Sequence, residues 1–239
     1  MKFNIDKWHT LSAHRKQNPI IYNYIMNAKH VTPVTHHPYL GIEMQQDFKW
    51  SQHINNTTNK AQRSLNMLKR NLKQASSTVR SQAYTTIVRP QLEYASSIWD
   101  PYTQTDIQKL DKVQKYAARW TLQDYSTYTS VSTLQKQLKW PPLAQRRLQT
   151  RLTVFYKITN NLIAIPVPPY ILKPTRTTRS TPTADTHTYR QLHTATDSYK
   201  YSFFPRTIIN WNSLPNNTKT LPTVLAFKAS ISPLTQLAY

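Results

Sequence analysis

Four basic residues, Lys60, Arg63, Arg70 and Lys73, recur along one stretch of this chain with no acid among them. Cationic groups held in such a row neutralise phosphates, and each neutralised phosphate releases condensed counterion. The alternative is an ordinary solvated helix face, but solvated faces usually mix signs and this one does not. No other set of side chains approaches a catalytic constellation. His36 and His37 stand near His30, yet adjacent residues of a strand face opposite ways and no cysteine or close carboxylate completes a ligand set, so a loop or surface role is expected. Glu43 and Asp47 are four apart, and the intervening expected turn after Gly41 argues against a shared helical face. A single glycine cannot build a Gly-rich phosphate loop, and the chain holds no Asp-Asp pair. Zero cysteines exclude disulfides, thiolate metal sites and thiol nucleophiles. No catalytic residue, metal ligand or cofactor is expected in this chain.

The whole composition points the same way as the basic row. Over 239 residues, 31 Lys plus Arg face 10 Asp plus Glu, a net charge of +21 with pI near 10.2. Acids are missing between Asp47 and Glu93, between Asp124 and Asp185, and after Asp197. Such a field favours polyanionic partners, above all nucleic acid. Met1 to Lys16 interrupts its apolar pairs with Lys2, Asp6, Lys7, Arg15 and Lys16, so no signal-peptide core is expected. No window reaches the roughly 18 apolar residues of a membrane span. The expected location is intracellular, in nucleus or cytoplasm, without secretion or a membrane partner, and the Asn-x-Thr triplets at Asn55, Asn56 and Asn216 are then incidental.

The elements that must position these residues are mainly helices, because one glycine leaves few positive-φ turns for an all-β fold. The predicted class is α+β: a short sheet remnant followed by a helical bundle. Before Phe48, Ile20-Ile21-Tyr22, Val31-Thr32 and Tyr39-Leu40-Gly41-Ile42 are strand-favouring runs of a sheet whose remainder is not evident. From Gln52, Ile54, Ala61, Leu65, Leu68 and Leu72 fall within about 60° of arc on one helix, with the basic row opposite. A second helical stretch is predicted over Thr78–Trp99 through Val79, Ala83, Ile87, Tyr94 and Ile98, kinked or broken at Pro90. A third covers Asp106–Trp120 through Ile107, Leu110, Val113, Gln114 and Ala117, and a fourth starts at Pro141-Pro142 and carries Leu148, Leu152, Phe155 and Ile158. Lys173–Ser198 is Thr-rich and reads as a flexible linker; beyond it come an aromatic segment and a short helix over Pro222–Ile231.

Several strings in order resemble one family. Lys2-Phe3-Asn4-Ile5-Asp6-Lys7, Tyr39-Leu40-Gly41 and Trp50-x-x-His53-Ile54 are followed by Arg89-Pro90-Gln91-Leu92-Glu93-Tyr94-Ala95-Ser96-Ser97-Ile98-Trp99-Asp100-Pro101. Lys112-Val113-Gln114-Lys115-Tyr116-Ala117-Ala118-Arg119, Arg151-Leu152-Thr153-Val154-Phe155-Tyr156-Lys157-Ile158 and the run Tyr201–Pro215 complete the set. Together they resemble the carboxyl-terminal half of non-LTR (LINE-type, jockey-like) retrotransposon reverse transcriptases, which are RNA-directed DNA polymerases. Their joint order and spacing carry the resemblance over nearly the whole chain.

The resemblance implies a partial palm over residues 1–50, with Asn4 and Lys7 in a late-palm element and Tyr39, Leu40 and Gly41 in the turn that grips the primer. It implies a helical thumb over 51–135 and a helical carboxyl extension over 136–172. The Thr-rich linker 173–198 and the terminal segment 199–239 follow. Two departures stand out: Trp8 occupies a position where the family usually has Cys, and the family's catalytic aspartates precede this region. Mg²⁺ is then expected only for the full-length family enzyme, whose two ions are held by those carboxylates. The expected function is a truncated fragment that binds primer and template without catalysis, lacking its upstream polymerase half. Lys7, alone, binds anion or serves as a surface lysine. Two rival readings stay open: a non-enzymatic host nucleic-acid-binding module, and an inert remnant.

Overall fold

The computed structural model describes residues 8–14, 18, 20, 22–174 and 187–234. Asn4, Lys7 and residues 175–186 of the Thr-rich stretch lie outside the described residues. The chain is α+β and mainly helical, as composition required.

Six short strands come first: β1 (His9–Thr10), β2 (Ile25–Met26), β3 (Lys29–His30), β4 (Thr32–Pro33), β5 (His36–Tyr39) and β6 (Ile42–Gln45). They pair as β1 with β4 in parallel and as two hairpins, β2 with β3 and β5 with β6, giving three two-stranded pieces among the described residues. Two strand expectations are corrected. Ile20 and Tyr22 are 90% and 70% exposed and belong to no strand, having no partner face to bury against. Tyr39–Ile42 is the tip of a hairpin: Leu40 and Gly41 take φ of 48° and 80°, the positive pair that a tight two-residue hairpin turn demands. Trp8 is 45% exposed, so its bulk meets solvent.

Helix α1 (Ser51–Asn71) buries Ile54, Ala61, Leu65 and Leu68, the stripe its 3.6-residue period requires. The next stretch differs from expectation. It divides into α2 (Ser77–Ala83), a π-helical turn (Tyr84–Val88), α3 (Arg89–Glu93) and α4 (Ser96–Trp99). Pro90 sits at the start of α3, where its missing N–H is harmless, and the widened turn before it absorbs the ring. The break falls at Ala95, which is left-handed at φ 51°. Most of the predicted apolar stripe faces outward: Val79, Ile87, Tyr94 and Ile98 are 42–57% exposed and only Ala83 of that set packs on the core, while Tyr84, Val88, Leu92 and Trp99 are fully buried.

Helix α5 (Gln104–Leu122) starts on a reciprocal cap, Thr103 Oγ1 accepting from the Asp106 N–H at 3.4 Å and donating to Asp106 Oδ2 at 3.0 Å. A short α6 (Val131–Gln137), not anticipated in the sequence, leads to α7 (Leu143–Thr159). The last part holds α8 (Asp197–Lys200), α9 (Phe203–Asn212), α10 (Asn216–Lys219) and α11 (Val224–Leu234).

Two apolar cores result. One gathers α1, the α2–α4 stretch and α5 with Trp140 and Leu143; the other gathers Leu148, Leu152 and Phe155 of α7 with Ile208, Trp211, Phe227 and Ile231. Helix α7 belongs to both. At the seam the Asp100 carboxylate receives Arg147 Nε at 2.8 Å, Arg151 Nη1, and Arg206 Nη1 at 3.2 Å, with Arg147 and Arg151 almost fully buried. No described helix is long and apolar enough to cross a membrane.

Candidate nucleic-acid interface

Helix α1 turns one side to the core and presents Lys60, Arg63 and Arg70 to solvent. Lys73 is exposed too but lies just beyond the helix, whose last residue is Asn71. The end of α1 is fixed by the buried Arg80 of α2. Its Nη2 donates to the Lys73 carbonyl at 2.8 Å and its Nε to the Leu72 carbonyl at 3.3 Å, satisfying acceptors that a helix end leaves open. Lys69 and Arg70 also sit where a helix C-terminus favours positive charge, so part of this charge serves α1 itself.

The β5–β6 hairpin packs against the first half of α1 and leaves a cleft of about 530 Å³. Gly41, Glu43, Lys60, Gln91 and Tyr94 are among its walls, so the hairpin tip and the first residue of the basic row share one space. Three bonds set the tip. Tyr94 Oη donates to the Leu40 carbonyl at 3.0 Å. The Glu43 N–H donates to His53 Nδ1 at 3.2 Å, which fixes His53 as a neutral ring with its proton on Nε2, facing Thr57 Oγ1 at 3.4 Å. Burial lowers the His53 pKa and so supports that neutral form.

The chain's single glycine is at the site where φ is most positive, and a Cβ there would touch the Tyr94 ring at 3.5 Å. Leu40 has no such freedom: left-handed backbone costs a non-glycine residue about 1 to 2 kcal/mol. Nevertheless Tyr39 and Leu40 are 62% and 73% exposed.

Sequence reasoning missed a second basic feature. Tyr116 of α5 lies between Lys69 and Lys112, whose Nζ atoms are 5.9 and 5.8 Å from its ring centroid. The spacing of Lys112 and Tyr116, one helical turn apart, was the available signal. Burial lowers the Lys69 pKa. His53, Gln91 and Tyr94 stand in the family-like strings but not among the expected site residues, because their role depends on the hairpin folding back onto α1 and α3.

Glu43 lines the cleft, while three other carboxylates are engaged elsewhere. Asp100 holds three arginines, Arg146 Nη2 reaches Glu93 at 2.9 Å, and Asp106 binds Ser51, Thr103 and Lys109. Burial opposes ionisation of Asp106, but those three hydrogen bonds outweigh it and leave its pKa below the usual value. Burial pushes Asp111 the other way, upward. His36 is exposed, and His37 stacks on His9 at 4.8 Å. No group of three or more metal-capable side chains occurs among the described residues, and these acids do not fit a two-ion magnesium centre.

The fold and this face define a strongly basic, mainly helical α+β chain with a hairpin laid against its first long helix. Comparison with protein-family models, curated proteins and solved structures gives no match to this chain.

Proposed function

We propose that these residues are the primer- and template-holding part of a reverse transcriptase of the non-LTR type. Residues up to Trp50 act as the late edge of a palm, residues 51–135 as a thumb-like bundle, and the remainder as a carboxyl extension. The observation that carries this reading is the cleft in which an exposed, strained hairpin tip meets the basic side of α1. Cations along α1 suit successive phosphates of a duplex, and Tyr39 and Leu40 offer apolar contact to a strand end. Nucleotide addition is not assigned to these residues, since no group of three or more metal-capable side chains gathers among the described ones. The partner that would supply that chemistry is an upstream polymerase half, and the ligand is an RNA or DNA primer-template.

The test is binding by fluorescence anisotropy to an RNA–DNA hybrid with a recessed primer end and to a blunt hybrid of equal length. The recessed end is expected to bind more tightly. Tyr39→Ala with Leu40→Ala is expected to erase that preference while leaving the salt dependence intact. Equal affinity for the two hybrids, or a preference that survives the double substitution, contradicts the hairpin's assigned role.

A further inference from the structure

A second cleft, of about 330 Å³, shares no lining residue with the first. Six aromatic residues face it: Phe48 and Trp50 from the segment before α1, Tyr102 from the loop before α5, and Tyr199, Tyr201 and Phe203 from around α8 and α9. Three segments far apart in sequence therefore converge on one aromatic space. Phe48, Tyr102 and Tyr199 are 52%, 38% and 40% exposed, so the rings are available at its surface.

Its geometry is set rather than incidental. Tyr102 and Tyr201 stack face to face, centroids 4.1 Å apart and planes 3° from parallel, which pins the α8 region to the loop before α5. Phe48 holds a left-handed backbone at φ 54°, an uncommon state for a bulky residue, and still presents its ring outward. The charge is suited to an anion. Lys200 Nζ lies 5.2 Å from the Tyr201 centroid, and Lys49 lines the cleft, paired at the surface with Asp47 at 3.5 Å. Asp100 also lines it, its carboxylate paired with Arg147, Arg151 and Arg206.

We propose that this cleft binds unpaired nucleotides of a single strand, with bases stacked on the exposed rings and phosphates near Lys49 and Lys200. Flat aromatic faces take any base, and flanking cations take the backbone; this combination is how single strands are held without sequence preference. A cleft of this size is at the lower end for ligand pockets and suits one or two nucleotides. The inference stands apart from the α1 reading, because a different set of residues carries it.

Two measurements on the full chain test it. Photo-crosslinking with a single-stranded oligothymidine carrying 5-iodouracil is expected to label peptides containing Phe48, Trp50, Tyr102 or Tyr199. The double variant Tyr102→Leu, Tyr199→Leu keeps apolar bulk and removes ring faces. Its affinity for the single strand is expected to fall roughly 5- to 100-fold per lost stacking partner, with affinity for a blunt duplex unchanged. Crosslinks confined to other surfaces overturn the proposal. So does a folded double variant whose single-strand affinity is unchanged or falls only in step with its duplex affinity. If the double variant does not fold, the crosslink map of the native chain decides alone. Neutralising the α1 face is expected to weaken duplex binding and leave the cleft crosslinks in place, which separates a failure here from a failure of the α1 reading.

Discussion

At His53 the Nδ1 atom must stay unprotonated, because it accepts the Glu43 N–H that fastens the hairpin to α1. The ring's ordinary pKa is 6.5 and burial lowers it in the folded chain, so on acidification the unfolded chain takes up this proton first. The contribution is whole above about pH 6.5 and drains away as pH falls from there toward the lowered folded value. His53→Asn keeps an acceptor that does not titrate in this range. Urea unfolding at pH 7.5 and 5.5 is expected to show a smaller acid-induced loss in the variant, after a cost of about 1 kcal/mol at pH 7.5. An identical pH dependence in both proteins would refute this role. The basic residues Lys60, Arg63 and Arg70 were legible in sequence, since a missing acid is visible in a string of letters. His53 was not, because its importance comes from a backbone amide ten residues away.

The helix elements were legible where one face is dry. Ile54, Ala61, Leu65 and Leu68 on α1 and Leu148, Leu152, Phe155 and Ile158 on α7 are buried as their spacing required. The α2–α4 stretch misled because two stripes one residue apart both fit it, and the buried one runs through Arg80, Tyr84, Val88 and Leu92, its phase set at Arg80 before the π-helical turn begins. A charged residue then faces inward: Arg80 takes the position that a periodic reading gives to Val79, and closes the end of α1. Arg80→Met retains the stem and removes the donors, leaving the Leu72 and Lys73 carbonyls without their partner. A loss of about 2 kcal/mol is expected, with faster hydrogen exchange in the last turn of α1. Unchanged stability and exchange would mean that solvent replaces the guanidinium without cost.

For the whole molecule, the seam at Asp100 joins the two cores. No sequence pattern announces it, since its members come from α7, α9 and the residue after α4. Asp100→Asn strips the countercharge from buried Arg147 and Arg151, and about 3 to 5 kcal/mol of stability is expected to be lost. Equal or greater stability in urea would show that the arginines are held by other groups. The net charge of +21 comes from composition alone, 31 Lys plus Arg against 10 Asp plus Glu, and the seam gathers three of those cations on one acid.

On the proposed reading, the outward side of α1 and the turn after it contact phosphates. Replacing Lys60, Arg63, Arg70 and Lys73 with Gln retains good helix formers and leaves the buried stripe untouched. Duplex affinity measured across a salt series reads the claim directly. With a slope of about −0.9 per phosphate contact on B-form DNA, the variant is expected to flatten the plot of log affinity against log salt by roughly 3 to 4 units, equally for every sequence tested. An unchanged affinity and salt slope in a variant that melts like the native chain would contradict it, and the row would be a solvated face only.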